Sequence, residues 1–131
     1  MFLDTSGLLS LYDARDAFHA NAVQLYRGAH RLITHNYVLA ELAALANARN
    51  LPREGALRYI ADLLDHPVIE TLWVDEPLHR AALTLLSRRL DKTYSLCDAV
   101  SFLQMEERRI REALTTDRHF EQEGFTRLLK Q

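Results

Sequence analysis

Four carboxylates stand where their placement could do chemistry: Asp4, Glu41, Asp98 and Asp117. Asp4 directly follows the short apolar run Met1 to Leu3, and Asp117 follows Ala113-Leu114-Thr115-Thr116. In parallel α/β sheets ligands bind outside the carboxyl ends of the strands, so an acid just after a strand stands at the working edge. Each of the two also has a local reading, because Asp is a favoured N-cap that accepts from the amides opening the next helix. Glu41 lies about 40° from Leu45 on the helical wheel, at the margin of the apolar stripe. It could point into a cleft or pair with a neighbouring Arg. Asp98 ends Ser95-Leu96-Cys97-Asp98, which matches a capping box. It also heads a row with Phe102 and Met105 at i+4 and i+7, so its carboxylate continues an inward-facing stripe. The start of a helix favours its charged form.

Acids gathered at strand ends and first helical turns repel one another unless a cation neutralises them. Oxygen-only ligation suits Mg²⁺ or Mn²⁺, whereas the six His show no zinc-like pairing and Cys97, the single cysteine, has no partner. Ions held by carboxylates polarise phosphate oxygens, lower the pKa of an attacking water and stabilise the leaving oxygen. The chemistry this set suits is phosphodiester hydrolysis.

The elements that must position these acids follow from periodicity and punctuation. Met1 to Leu3 reads as a strand, Ser6 to Tyr12 as a helix, and Ala22, Leu25 and Tyr26 mark a second helix after His19. Leu32 and Ile33 suit a strand, with Thr34-His35-Asn36 as the junction to a helix over Tyr37 to Arg49. Pro52 separates that helix from one over Arg53 to Leu64. Val68 to Val74 is rich in β-branched and aromatic residues and reads as the best strand of the chain. Helices follow over Glu76 to Leu90 and Ser95 to Arg108, then a strand over Arg111 to Thr115. A short helical turn after Asp117 is closed by Gly124, and Phe125 to Leu129 reads as a last strand. Strands alternating with helices predict an α/β fold with a mostly parallel sheet and helices on both faces.

The chain has 131 residues, 48% apolar and 26% charged, which predicts one soluble globular domain over residues 1–131 and excludes a disordered or disulfide-stapled class. Its formal charge of −2 provides no overall field for nucleic acid, so any such site must be local. The longest strictly apolar run, Leu42 to Ala46, is far below the ~20 residues of a membrane span. The start of the chain lacks a basic leader, which makes the cytoplasm the default location. There is no G-x-x-x-x-G-K-[ST] loop, no G-x-G-x-x-G turn and no G-x-S-x-G elbow. A haloacid dehalogenase would carry a second Asp where this chain has Ser6.

Taken together, Phe2-Leu3-Asp4-Thr5-Ser6, Thr34 through Leu42 with Glu41 near its end, Tyr94-Ser95-Leu96-Cys97-Asp98-Ala99 and Leu114 through Phe120 resemble a PIN-domain nuclease. The closer resemblance is to the VapC toxins of type II toxin–antitoxin pairs, and it runs essentially from end to end. It implies a three-layer sandwich with four or five parallel strands and Mg²⁺- or Mn²⁺-dependent endoribonuclease activity. It also implies a homodimer and a cognate antitoxin whose peptide tail blocks the site. Asp4 and Asp98 match the family's principal metal-binding acids, Glu41 and Asp117 its other two, and Ser6 and Thr115 its hydroxyl positions. On this reading a metal-activated water attacks an RNA phosphodiester. RNA would need local positive charge, for which Arg88, Arg89, Lys92, Arg108, Arg109, Arg111 and Arg118 are candidates, Arg118 being best placed beside Asp117. Any of them could equally be solvated or ion-paired. His119 and Phe120 read as turn and core residues. The alternatives are an RNA-processing PIN nuclease outside any toxin system and a PIN-like binding module without catalysis.

Overall fold

The short apolar runs resolve into strands and the 3.6-period runs into helices in the computed structural model, which describes residues 1–131. In chain order they are β1 (Phe2–Leu3), α1 (Thr5–Tyr12), α2 (His19–Gly28), β2 (Leu32–His35), α3 (Asn36–Ala48) and α4 (Arg53–Asp65). Then come β3 (Ile69–Leu72), α5 (Glu76–Ser87), α6 (Leu96–Arg108), β4 (Glu112–Leu114), α7 (Arg118–Gln122) and β5 (Thr126–Arg127). All strand pairings are parallel, in the order β3-β2-β1-β4-β5, and seven helices flank the sheet. No helix is long and apolar enough to cross a membrane.

That order contains a reversal. From β1 the chain builds β2 and β3 to one side, then returns to add β4 and β5 on the other. The crevice where the direction changes lies beyond the carboxyl ends of β1 and β4, the position where such sheets bind ligands. β1 is only two residues long, yet Phe2 and Leu3 are fully buried and pair with Ile33, Ala113 and Leu114. Phe2 sits at the centre, with its ring 5.5 Å from His35 and 6.1 Å from Phe120. Phe102 of α6 meets Phe120 edge-on at 5.0 Å, joining α6 and α7 to the same core.

Several elements are shorter than their sequence patterns suggest. Val68 to Val74 yields only Ile69–Leu72 as strand, because β3 is an edge strand whose sole partner, β2, offers four residues paired one to one. Val68 and Trp73 lie outside that ladder and are exposed. β2 in turn runs on through Thr34 and His35, which the sequence places in a junction, because these two pair with Thr71 and Leu72. The helix expected to reach Leu90 stops at Ser87, and Leu90 is the most exposed large apolar side chain in the protein. The last strand is limited to Thr126–Arg127, although Leu128 and Leu129 still donate to Ala113 and Thr115 at 3.0 and 3.1 Å.

Two contacts fix the helices that carry the acids. His35 is fully buried, and its Nδ1 accepts from Val38 N at 3.2 Å, capping α3. Its Nε2–H therefore donates to Ser101 Oγ at 2.8 Å, and the Ser101 hydroxyl donates to Cys97 O, tying α3 to α6. Burial lowers the His35 pKa to about 3, so the imidazole is neutral in this role. The second contact is Gly7 of α1 against the end of β4. A Cβ at this position would lie 1.9 Å from Leu114 O, a backbone atom with no freedom to withdraw. Gly7→Ala is expected to cost about 3 kcal/mol or more, at or beyond the upper end of ordinary overpacking. Urea denaturation measures it, and a midpoint equal to that of the wild type would show that α1 is not seated so closely on β4.

Candidate active site

Asp4 leaves β1 at the crevice and is 5% exposed. Thr115, the residue after β4, donates its hydroxyl to Asp4 Oδ2 at 2.7 Å. Its one proton being used there, the Ser6 hydroxyl is the donor in the 3.2 Å Ser6–Thr115 pair. Ser6 Oγ accepts from Thr116 N and Thr115 Oγ1 accepts from Asp117 N, both at 3.0 Å. One chain of hydrogen bonds thus fixes the β4–α7 turn against the start of α1 and presents Asp4 to the crevice. Asp4 stands at the N-cap position of α1, but its side chain makes no capping bond there.

Asp98 arrives from the first turn of α6. Ser95 and Asp98 form the full capping box, with Asp98 N donating to Ser95 Oγ and Ser95 N donating to Asp98 Oδ2, each at 3.0 Å. The same Oδ2 receives His119 Nδ1 at 2.9 Å. Both bonds fall on one oxygen, which leaves Oδ1 for another partner. The structural and chemical readings of Asp98 are therefore compatible. Asp117 caps α7 by accepting from His119 N at 2.9 Å, and its Oδ1 lies 3.4 Å from His119 Nδ1. Asp98, Asp117 and His119 offer ligand atoms that all lie within 4.8 Å of one another, a group able to hold a metal ion.

His119 is the residue that sequence reasoning misplaced. Phe120 is in the core as expected, but His119 is not a packing residue: it lies between two of the four acids, with Nε2 3.0 Å from Thr93 Oγ1 and its ring edge-on to Tyr94. Its signal was its place two residues after a helix-capping Asp, where the cap's own hydrogen bond brings it to the site.

Glu41 on α3 is exposed and forms no ion pair with any Arg or Lys. Its charge nevertheless reaches Asp4, as does that of Asp98. Burial first, and then these two neighbours, raise the Asp4 pKa from 3.8 to about 7, against the pull of its hydrogen bonds from Thr115 and the Thr5 backbone. Asp98 is raised as well, chiefly by burial and then by Asp117, with the Ser95 and His119 bonds opposing. Cys97, buried between them, is pushed far up by burial and by Glu41, Asp4 and Asp98, so it remains a thiol. No Lys or Arg pairs with any of the four acids. Asp4 and Asp98, which burial and neighbouring charge hold toward their neutral forms, are fitting oxygen donors for a divalent ion.

The basic candidates separate by their partners. Arg89 is held by both oxygens of Glu123, at 3.1 and 3.2 Å, and Lys92 lies 3.3 Å from Asp91. Arg108 pairs with Glu70 and Arg111 with Glu106. Arg88, Arg109 and Arg118 have no carboxylate partner, and Arg118 adjoins Asp117 on the exposed start of α7.

Comparison with known proteins gives one consistent result. The PIN domain family model matches residues 1–125. The chain is 32% identical over 126 residues to the 23S rRNA-specific endonuclease VapC20 of Mycobacterium tuberculosis, in two strains, covering 95% of each chain. It is also similar to the crystal structure of that protein, described as a sarcin-ricin loop cleaving toxin, with a TM-score of 0.87, 31% identity and 95% coverage of each chain.

The raised Asp4 pKa carries a sign. Between about pH 4 and about pH 7 the native state retains a proton that the unfolded chain has released, so the stability of the ion-free protein falls as pH rises through that window. Asp98 adds in the same direction. Chemical denaturation in chelator should show wild type losing stability across the window and Asp4→Asn losing less, so that the variant is the more stable above about pH 7. Equal pH slopes for the two proteins would contradict the burial of a charged Asp4.

Proposed function

The chain belongs to the PIN-domain family and is an endoribonuclease of the VapC kind, and from that premise we propose that Asp4, Glu41, Asp98 and Asp117 are its catalytic, cation-holding residues. The observation that carries this reading is that the charges of Asp98 and Glu41 act on the buried Asp4 and that of Asp117 on Asp98, with no Lys or Arg paired to any of the four. Asp4 and Asp98 are the principal ligands, and Glu41 and Asp117 complete the set directly or through water. Mg²⁺, or Mn²⁺ in its place, supplies charge to the phosphate oxygens and lowers the pKa of water when bound.

The chain's own residues then do the positioning. Thr115 orients Asp4 through Oδ2, and Ser6 orients Thr115. His119 and the Ser95 amide hold Asp98 Oδ2, which leaves its other oxygen free and would let it serve as a ligand. Arg118, beside Asp117, is the cation best placed to meet RNA, and Arg88 is also exposed and without a carboxylate partner. Residues 1–131 act as one nuclease domain, in the cytoplasm, as the toxin of a pair whose antitoxin blocks this crevice, and as a homodimer. The similarity to VapC20 supports 23S rRNA, at the sarcin-ricin loop, as the substrate.

The test is cleavage of ribosomal RNA and of a sarcin-ricin hairpin by the purified chain with Mg²⁺, with Mn²⁺ and with EDTA. Discrete fragments should require the ion. Loss of a group that only orients a ligand costs about 10–100-fold, so Thr115→Val should lose activity within that range, and Asp4→Asn and Asp98→Asn should each lose more than about 100-fold. Cleavage that persists in EDTA, or in both Asn variants, would overturn the assignment of these residues.

A further inference from the structure

Next to the acidic crevice is a feature of opposite sign. An open groove of roughly 400 Å³ is lined by Phe18, Thr116, Arg118, Arg127, Leu129 and Lys130, among others. Thr116 and Arg118 flank Asp117 in sequence, so the groove begins about one Cα step, ~3.8 Å, from an acid of the site. Arg127 is anchored, donating to Thr116 O at 3.0 Å and pairing with Glu121. Lys130 is exposed, its Nζ a looser 3.7 Å from the same Glu121. Arg118 is exposed and has no carboxylate partner. Two of the three cations thus share a single acid, and the third has none. Phe18, half-buried ahead of α2, adds an aromatic side chain to the same wall.

We infer that this groove is a binding subsite for single-stranded RNA, in which Arg118 and Lys130 hold backbone phosphates flanking the scissile bond and Phe18 offers a face to an unpaired base. The inference rests on the nuclease reading and deepens it. Cations that track a backbone beside an aromatic ring that accepts any base are the physical components of single-strand binding. The groove's position supplies the rest of the argument. RNA that places a phosphodiester over the acids must lay its neighbouring phosphates somewhere within a nucleotide or two, and the strip beside Asp117 is where positive charge meets them. The sign change also orients the strand, since the acids repel phosphates that carry no cation while the groove attracts them. An acidic peptide would use the cations but gains nothing comparable from Phe18.

The experiment measures binding of a labelled single-stranded oligoribonucleotide of about ten nucleotides to the full chain in EDTA, so that nothing is cut, over a range of salt. For single strands each phosphate contact contributes about 0.7 to the slope of log K against log salt. Arg118→Ala with Lys130→Ala should flatten the slope by about 1.4. Phe18→Leu should weaken binding about fivefold or more with the slope unchanged, because stacking releases no counterions. Arg53→Ala, an exposed cation away from the groove, serves as the control and should match the wild type. With the ion present, the double variant should raise KM and leave kcat within about twofold, the signature of binding shared by ground and transition states.

An unchanged slope in the double variant, with the wild type still cutting RNA, overturns the groove while leaving the nuclease reading intact. A wild type that neither binds nor cuts RNA overturns both. If the double variant keeps its RNA affinity but loses affinity for a polyglutamate peptide, the groove takes an acidic protein segment and the RNA assignment is wrong.

Discussion

A carboxylate that is 5% exposed, with two further acids close enough to act on it and no basic side chain in reach, is the constraint around which this protein is organised. An isolated buried charge is costly, and proteins resolve the cost by protonating the group, by pairing it or by giving it a metal. Here no Lys or Arg has been placed to pair with it. What the sequence does provide is hydrogen-bond donors, from Thr115 and the Thr5 backbone, which favour the ionised form without neutralising it. The site thus lacks a neutralising basic side chain, and the residues around it keep the acids in place despite their repulsion.

Holding them there is the work of the scaffold. The sheet reverses direction at β1, so Asp4 and the Thr115–Asp117 turn emerge side by side from strands that are far apart in sequence. Gly7 lets α1 descend onto the end of β4, which brings Ser6 into the Thr115 network. His35, neutral and buried, joins α3, which carries Glu41, to α6, which carries Asp98. Neither Gly7 nor His35 is one of the acids, yet each fixes an element that carries or supports them.

The α/β class and the order of elements were legible in the sequence because they depend on local signals: apolar period, Pro and Gly punctuation, and Asp or Ser at helix starts. Element lengths were not, because they depend on partners. Val68 to Val74 has the composition of a long strand, and only pairing with the four residues of β2 reveals that its ends are unladdered. The site divides in the same way. The four acids stand out by position, but the two readings of Asp98 could not be reconciled until both of its hydrogen bonds were seen to fall on Oδ2, leaving Oδ1 free. His119 was hidden because its partners, Asp98 and Thr93, lie more than twenty residues away in sequence. Among the basic residues, Arg89 and Arg118 look alike in the sequence. Only the structure shows one gripped by Glu123 and the other without a carboxylate partner.

The most direct measurement is calorimetric titration of the full chain with Mn²⁺ near pH 6, in buffers of different ionisation enthalpy. Because Asp4 is raised to about 7, it carries a proton at that pH, and an ion that binds it must displace the proton. The account predicts saturable binding with proton release in the wild type, and weaker binding with less proton release in Asp4→Asn. Heats that do not saturate, or identical proton release from wild type and variant, would contradict the claim that this buried carboxylate exists to hold a cation.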